Sequence, residues 1–172
     1  EKGDEMADYS YNYKLGSTIL KSTSVNFYNE KRASAADPEN AMTESVSFKG
    51  LKDPSTVTLG DTGDIASRQS VTYFYGEKGD EMADYAYNYS LRKTSTAAPD
   101  DSVIKNTSVY YYKTINDRAG SAGVTSEDAM YASRTFKATV IGDIKGISEG
   151  TASNLQSATF YDTTMGKGSE SW

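Results

Sequence analysis

An all-β, antiparallel chain made of two copies of one sheet unit is the fold this sequence predicts, and three observations predict it. Residues 1–13, EKGDEMADYSYNY, return at 77–89 as EKGDEMADYAYNY, with only Ser10 changed, to Ala86. Between and after these blocks, apolar and polar residues alternate with a period of two. Gly, Pro, Asp and Asn clusters punctuate the alternating runs, as turns punctuate strands. Self-similarity of this kind outranks local signals when a fold is read.

The copying continues beyond the opening block. Thr23-Ser24-Val25 returns as Thr107-Ser108-Val109, Arg32-Ala33 as Arg118-Ala119, and Ala41-Met42 as Ala129-Met130. Ser70-Val71-Thr72-Tyr73 returns as Ser157-Ala158-Thr159-Phe160. The offset drifts because insertions accumulate between matched strands, where loops absorb them at little entropic cost. The units are expected at 1–76 and 77–162. Gly166-Lys167-Gly168-Ser169-Glu170 resembles a worn opening block, so 163–172 is expected to start a degenerate third copy or to be a linker. The chain is therefore expected to be two units of a longer array, or a processed subunit.

Each unit offers about four strands. Tyr9, Tyr11 and Tyr13 alternate with Asp8, Ser10 and Asn12, which places the rings on one face of a strand. Tyr85, Tyr87 and Tyr89 do the same in the second copy. Thr23, Val25 and Phe27 alternate with Ser24, Asn26 and Tyr28, and Val46 and Phe48 with Ser45 and Ser47. Val71, Tyr73 and Tyr75 oppose Thr72 and Phe74, a pattern expected of a strand covered on both faces. Asp37-Pro38-Glu39-Asn40-Ala41-Met42 places a capping residue before Pro and helix formers, and predicts one short helical turn. Ser126-Glu127-Asp128-Ala129-Met130 predicts the same turn in the second unit, with Met42 or Met130 plugging the sheet end. Arg32 and Arg118, just upstream, are expected to tie these loops down through carboxylates or carbonyls. The arrangement is either sandwich-like or a stacked ribbon.

Composition narrows the function classes. The 172 residues carry a net charge of −6 and 14 tyrosines, with no cysteine and no histidine. Disulfides, thiol chemistry, imidazole catalysis and Cys- or His-based metal sites are thereby excluded. The acidic balance disfavours nucleic acid and anionic lipid as partners. No apolar run is long enough for a membrane-spanning helix. The core is thin in aliphatic residues, and tyrosine supplies packing surface that tolerates water. Thin units are stable when neighbours bury one another.

Four groups of residues are candidate sites. Asp4, Glu5, Asp80 and Glu81 crowd carboxylates around a glycine and could hold Ca²⁺, although their spacing does not match known calcium loops. Gly60-Asp61-Thr62-Gly63-Asp64 is a second acidic turn of the same kind. Otherwise no cofactor is expected. The rings of Tyr9, Tyr11, Tyr13, Tyr85, Tyr87 and Tyr89 either form an interface between units or, exposed, stack on sugars. Asn88-Tyr89-Ser90 and Asn106-Thr107-Ser108 fit the glycosylation triplet at Asn88 and Asn106. No pair of acids is placed as a glycosidase needs them, and the chain is not expected to be an enzyme.

Tyr110-Tyr111-Tyr112, Arg118-Ala119, Ala129-Met130 and the run Gly-Asp-Glu-Met-Ala-Asp-Tyr ending at Tyr85 resemble the tandem β-repeats of very large bacterial surface proteins. That resemblance implies a cell-surface or extracellular setting and copies of the same unit as partners. Bacterial and archaeal surface filaments, whose subunits lend a strand to a neighbour, are a looser analogy. Residues 7–15 would be the donor strand here. The sequence thus leads to a structural subunit of a filament or surface array, joined end to end through sheets. The alternative is a carbohydrate-binding or adhesive module using exposed tyrosines.

Overall fold

A computed structural model describes residues 5–59, 67–91, 102–137 and 154–162. Asp4, the acidic turn at 60–64 and residues 163–172 lie outside the described residues. The alternating runs form β1 (Tyr9–Tyr13), β2 (Leu20–Tyr28), β3 (Met42–Lys49) and β4 (Arg68–Tyr75). They continue as β5 (Met82–Leu91), β6 (Ser102–Tyr112), β7 (Met130–Lys137) and β8 (Leu155–Phe160). All eight lie in one open antiparallel sheet whose spatial order is the chain order. The sandwich-like alternative is therefore corrected to a single meander. Every connection joins adjacent strands, and among the described residues no second sheet lies over the first.

Registers recur along the meander. In the β1–β2 pair Tyr9 opposes Val25, Tyr11 opposes Thr23, and the ladder slips at Asn12/Tyr13. In β5–β6 Tyr85 opposes Val109, Tyr87 opposes Thr107, and the slip falls at Asn88/Tyr89. Phe48 opposes Thr23 as Phe136 opposes Thr107. Between these sets of strands, β4 pairs with β5 through Tyr73 opposite Tyr85 and Val71 opposite Tyr87. The turn into β5 requires Gly76, whose φ is 134° and where a Cβ would collide with the Asp80 carbonyl.

The alternation gives the sheet two different faces. One carries Thr23, Val25 and Phe27, Val46 and Phe48, Val71, Val109 and Phe136, all buried. Loops roof this face. Val57, just after a single 3-10 turn at Pro54–Thr56, packs on Val25, Phe27, Val46 and Phe48. Ile115 joins the Val109–Phe136 cluster, and Ala119 and Val124 pack with Met82 and Tyr112. Buried Thr23 satisfies its hydroxyl by donating to the Gly50 carbonyl at 2.9 Å and accepting from the Lys52 amide at 3.1 Å. The other face is mostly Ser, Thr and Asn, laced across strands, with Ala86 and Tyr110 among them. Asn26 bonds Ser45 at 2.8 Å, Asn88 bonds Asn106 at 2.9 Å, and Ser108 bonds Thr135 at 3.3 Å.

The helical turns expected near Met42 and Met130 are not formed. Asp37 does cap, accepting from the Glu39 amide at 3.0 Å, and the Asn40 amide bonds the Asp37 carbonyl at 2.8 Å. The chain then passes straight into β3 at Met42, which leaves no length for a helix. The second loop is a comparable turn, closed by the Asp128 amide on the Thr125 carbonyl at 3.0 Å. Met130 packs against the Met82–Tyr112–Ala119 cluster, as a plug would. The double-sided burial expected of β4 holds only in part: Val71 is buried, Thr72, Tyr73 and Phe74 are half-buried, and Tyr75 is exposed.

Candidate interaction surface

The strand order leaves β1 and β8 as outermost strands, and their backbones are in phase. The Asn26 amide donates to the Asp8 carbonyl at 2.9 Å. Antiparallel alternation then commits Asp8, Ser10 and Asn12 to β2 and turns the backbone groups of Tyr9 and Tyr11 outward. At the far edge the Tyr161 amide donates to the Tyr131 carbonyl at 2.9 Å. Tyr161, Thr159 and Ser157 are thereby committed to β7, and Ala158 and Phe160 face outward. Neither strand carries a charged residue or a proline, YSYNY in β1 and LQSATF in β8, whereas every strand between them carries at least one charge. Edge strands are normally blunted by such residues.

Two nearly identical tyrosine ladders have different surroundings. Tyr9, Tyr11 and Tyr13 on β1 are 48%, 36% and 55% exposed. On β5, Tyr85 stacks on Tyr73 of β4 with centroids 4.5 Å apart and 20° between planes. Tyr87 meets Tyr73 edge-on at 5.9 Å, and the Arg68 guanidinium lies 4.1 Å from the centroid of the Tyr89 ring. Burial pushes the Tyr85 phenol up to about 12, with the neighbouring Tyr87 adding to the shift, and raises Tyr73 as well. The second ladder is thus half-buried at a seam between strands, packed against the core, and the first is surface.

Both arginines tie loops as expected. Arg32 grips Asp8 in a bidentate pair, Nε–Oδ1 2.8 Å and Nη2–Oδ2 2.6 Å, and its Nη1 donates to the carbonyls of Pro54 and Val57. Arg118 grips Asp84 in the same way, with Nε–Oδ1 2.8 Å and a second bond from Nη2 to Oδ2. Each guanidinium also sits beside a ring, Phe27 at 6.0 Å and Tyr85 at 5.6 Å.

The structure employs the acidic residues of the second block in the fold. Glu81 accepts from the Met42 amide at 3.0 Å through one oxygen and from the Gly79 amide at 3.0 Å through the other. Asp80 accepts from the Ser126 hydroxyl at 2.7 Å. Among the described residues no group of three or more acidic side chains is arranged to hold a metal ion, and Glu5 is not brought near Asp80 and Glu81 in such a group. Asn88 and Asn106 are cross-strand partners in the middle of β5 and β6. Attachment of a sugar to the Asn88 amide nitrogen would displace its bond to Asn106. Among the described residues no helix is long and apolar enough to cross a membrane.

Sequence reasoning missed Glu44. It lies on the same face of β3 as Val46 and Phe48, between Phe27 and Tyr73, and is 7% exposed. Its parity with Val46 and Phe48 was the available signal. Burial raises its carboxyl above the usual range, Arg68 partly opposes this, and Glu30 adds to it. The folded chain therefore holds this proton more tightly than the unfolded chain does. The group's contribution is most favourable below the ordinary carboxylate range and is lost as pH rises through the folded value. Glu44→Gln is expected to raise the urea midpoint at pH 7 and to leave it nearly unchanged at pH 4. A variant less stable than the parent at pH 7 would contradict this.

The pattern also failed to separate Phe160 and Tyr161, 53% and 45% exposed at the β8 edge, from core aromatics. The chain matches no family model, no curated protein and no solved structure.

Proposed function

We propose that the chain is a structural module, two homologous four-stranded units at 1–76 and 77–162, that assembles end to end through β-sheet contacts. Its setting in this reading is an extracellular filament or a cell-surface repeat array, and it has no catalytic role. The observation that carries the reading is the β4–β5 seam. There the last strand of the first unit pairs with the first strand of the second, and a tyrosine stack closes over the junction. The block repeat and the matching slips in β1–β2 and β5–β6 support the division into units. A sheet whose contact is heterologous and does not close grows into a fibre. The extracellular setting rests on the resemblance to bacterial surface repeats.

Exposure of Tyr9, Tyr11 and Tyr13 favours the second reading, a carbohydrate-binding face. The Tyr9 and Tyr11 rings are inclined at 62°, so they do not make one flat platform for consecutive sugar rings. Negative-stain microscopy of the purified chain across rising concentration tests the first reading, which expects unbranched fibres. Discrete particles at every concentration, together with glycan retention lost in Tyr9→Ala or Tyr11→Ala, would replace it with the second.

A further inference from the structure

Resting on the end-to-end reading above, the joint between copies can be specified. We propose that β8 of one copy adds antiparallel to β1 of a second copy in a single register, with Phe160 opposite Tyr9 and Ala158 opposite Tyr11. The template lies inside the chain. At the β4–β5 seam Tyr73 opposes Tyr85, Val71 opposes Tyr87 and Ser70 opposes Asn88. Ser157-Ala158-Thr159-Phe160 stands in β8 where Ser70-Val71-Thr72-Tyr73 stands in β4, and Tyr9-Ser10-Tyr11-Asn12 stands in β1 where Tyr85-Ala86-Tyr87-Asn88 stands in β5. Transferring the seam residue by residue gives the register stated.

Three further observations agree with it. First, the outward backbone groups are Tyr9 and Tyr11 on one edge and Ala158 and Phe160 on the other, as the 2.9 Å bonds at Asp8 and Tyr131 fix them. In this register they face each other as hydrogen-bonded pairs, whereas a one-residue slip would set outward groups against inward ones. Second, the two outermost strands are the uncharged ones, so neither edge carries the residues that normally prevent strand addition. Third, the exposed rings are complementary. Phe160 takes the place of Tyr73 and would cover Tyr9 and Tyr11 as Tyr73 covers Tyr85 and Tyr87. A second copy is the occupant because its β1 repeats, with one residue changed over Tyr9–Tyr13, the β5 segment that the equivalent β4 edge pairs with at the seam.

The absence of cysteine makes cross-linking a clean test. Ser10 and Thr159 would be directly opposite in a non-hydrogen-bonded pair, with Cα atoms about 4.5 Å apart. That is within the range a disulfide spans. Within one copy they lie on opposite edges of the eight-stranded sheet and cannot meet. Oxidation of S10C/T159C is expected to give a ladder of covalent oligomers. N12C/T159C, two residues out of register, is expected to give at least ten-fold less. An equimolar mixture of the single variants S10C and T159C is expected to stop at the mixed dimer, with circular dichroism confirming that each is folded. Equal ladders from both double variants would overturn the register. Wild-type fibres without linkage in any folded variant would overturn the joint while leaving end-to-end assembly standing. Neither fibres nor linkage would overturn both.

Discussion

Phe48→Ala and Phe136→Ala are each expected to cost about 3–5 kcal/mol, a range typical of a buried ring truncated in a close-packed core. Each ring is 1% exposed and faces a fully buried threonine, Thr23 or Thr107. Relaxation cannot refill either space cheaply, because sheet backbone forms the floor. Small domains retain only about 5–15 kcal/mol in total, and this core is short of aliphatic side chains, so either change approaches the whole margin. The two are also expected to lower one shared transition. Tyr89 of β5 packs on the first cluster and Tyr85 of the same strand on the second, so the clusters meet at the seam. Urea melts followed by circular dichroism check this. A biphasic melt in which each variant moves a different phase would mean that the halves unfold independently.

Arg32→Ala is expected to be the largest loss away from the rings, about 3 kcal/mol, the lower end for breaking a buried ion pair. The lower end applies because the Arg32 and Asp8 side chains keep 19% and 33% of their exposure. Three segments converge on this guanidinium: Asp8 at the entry to β1, the loop bearing Arg32 itself, and the loop bearing Pro54 and Val57. Its removal leaves the Asp8 carboxylate with only the Ala33 amide, at 3.2 Å, of the bonds it now accepts from that loop. Arg32→Lys should recover little, since an ammonium cannot span both carboxylate oxygens and two carbonyls. A double-mutant cycle with Asp8→Ala measures the pair itself. A coupling below about 0.5 kcal/mol, the level of exposed surface pairs, would show that the clamp is ornamental to stability.

The contrast between the tyrosine blocks shows what sequence could and could not convey. Strand identity was legible, because alternation around Val25, Val46 and Tyr87 is a local property that the pleat reads directly. The Arg32 and Arg118 anchors were legible for a similar reason: a repeated arginine before a turn has few partners to choose from. Burial of the ladders was not legible. Two almost identical segments differ because β1 has a neighbour on one side only, while β5 has Tyr73 of β4 beside it. The expected helical turns failed because capping chemistry at Asp37 was read without the length of chain left before Met42. The roof over the core was missed because Val57 sits alone in a loop, with no periodic companions to mark it. Glu44 shares the parity of Val46 and Phe48, which places it on the buried face.

Fibre diffraction from oriented assemblies of the chain tests the central claim most directly. If copies extend one another's sheet, strands run across the fibre and hydrogen bonds run along it, giving a meridional reflection at about 4.7–4.9 Å. A meridian lacking that spacing, or concentrated protein that yields no oriented assembly at all, would contradict growth by strand addition.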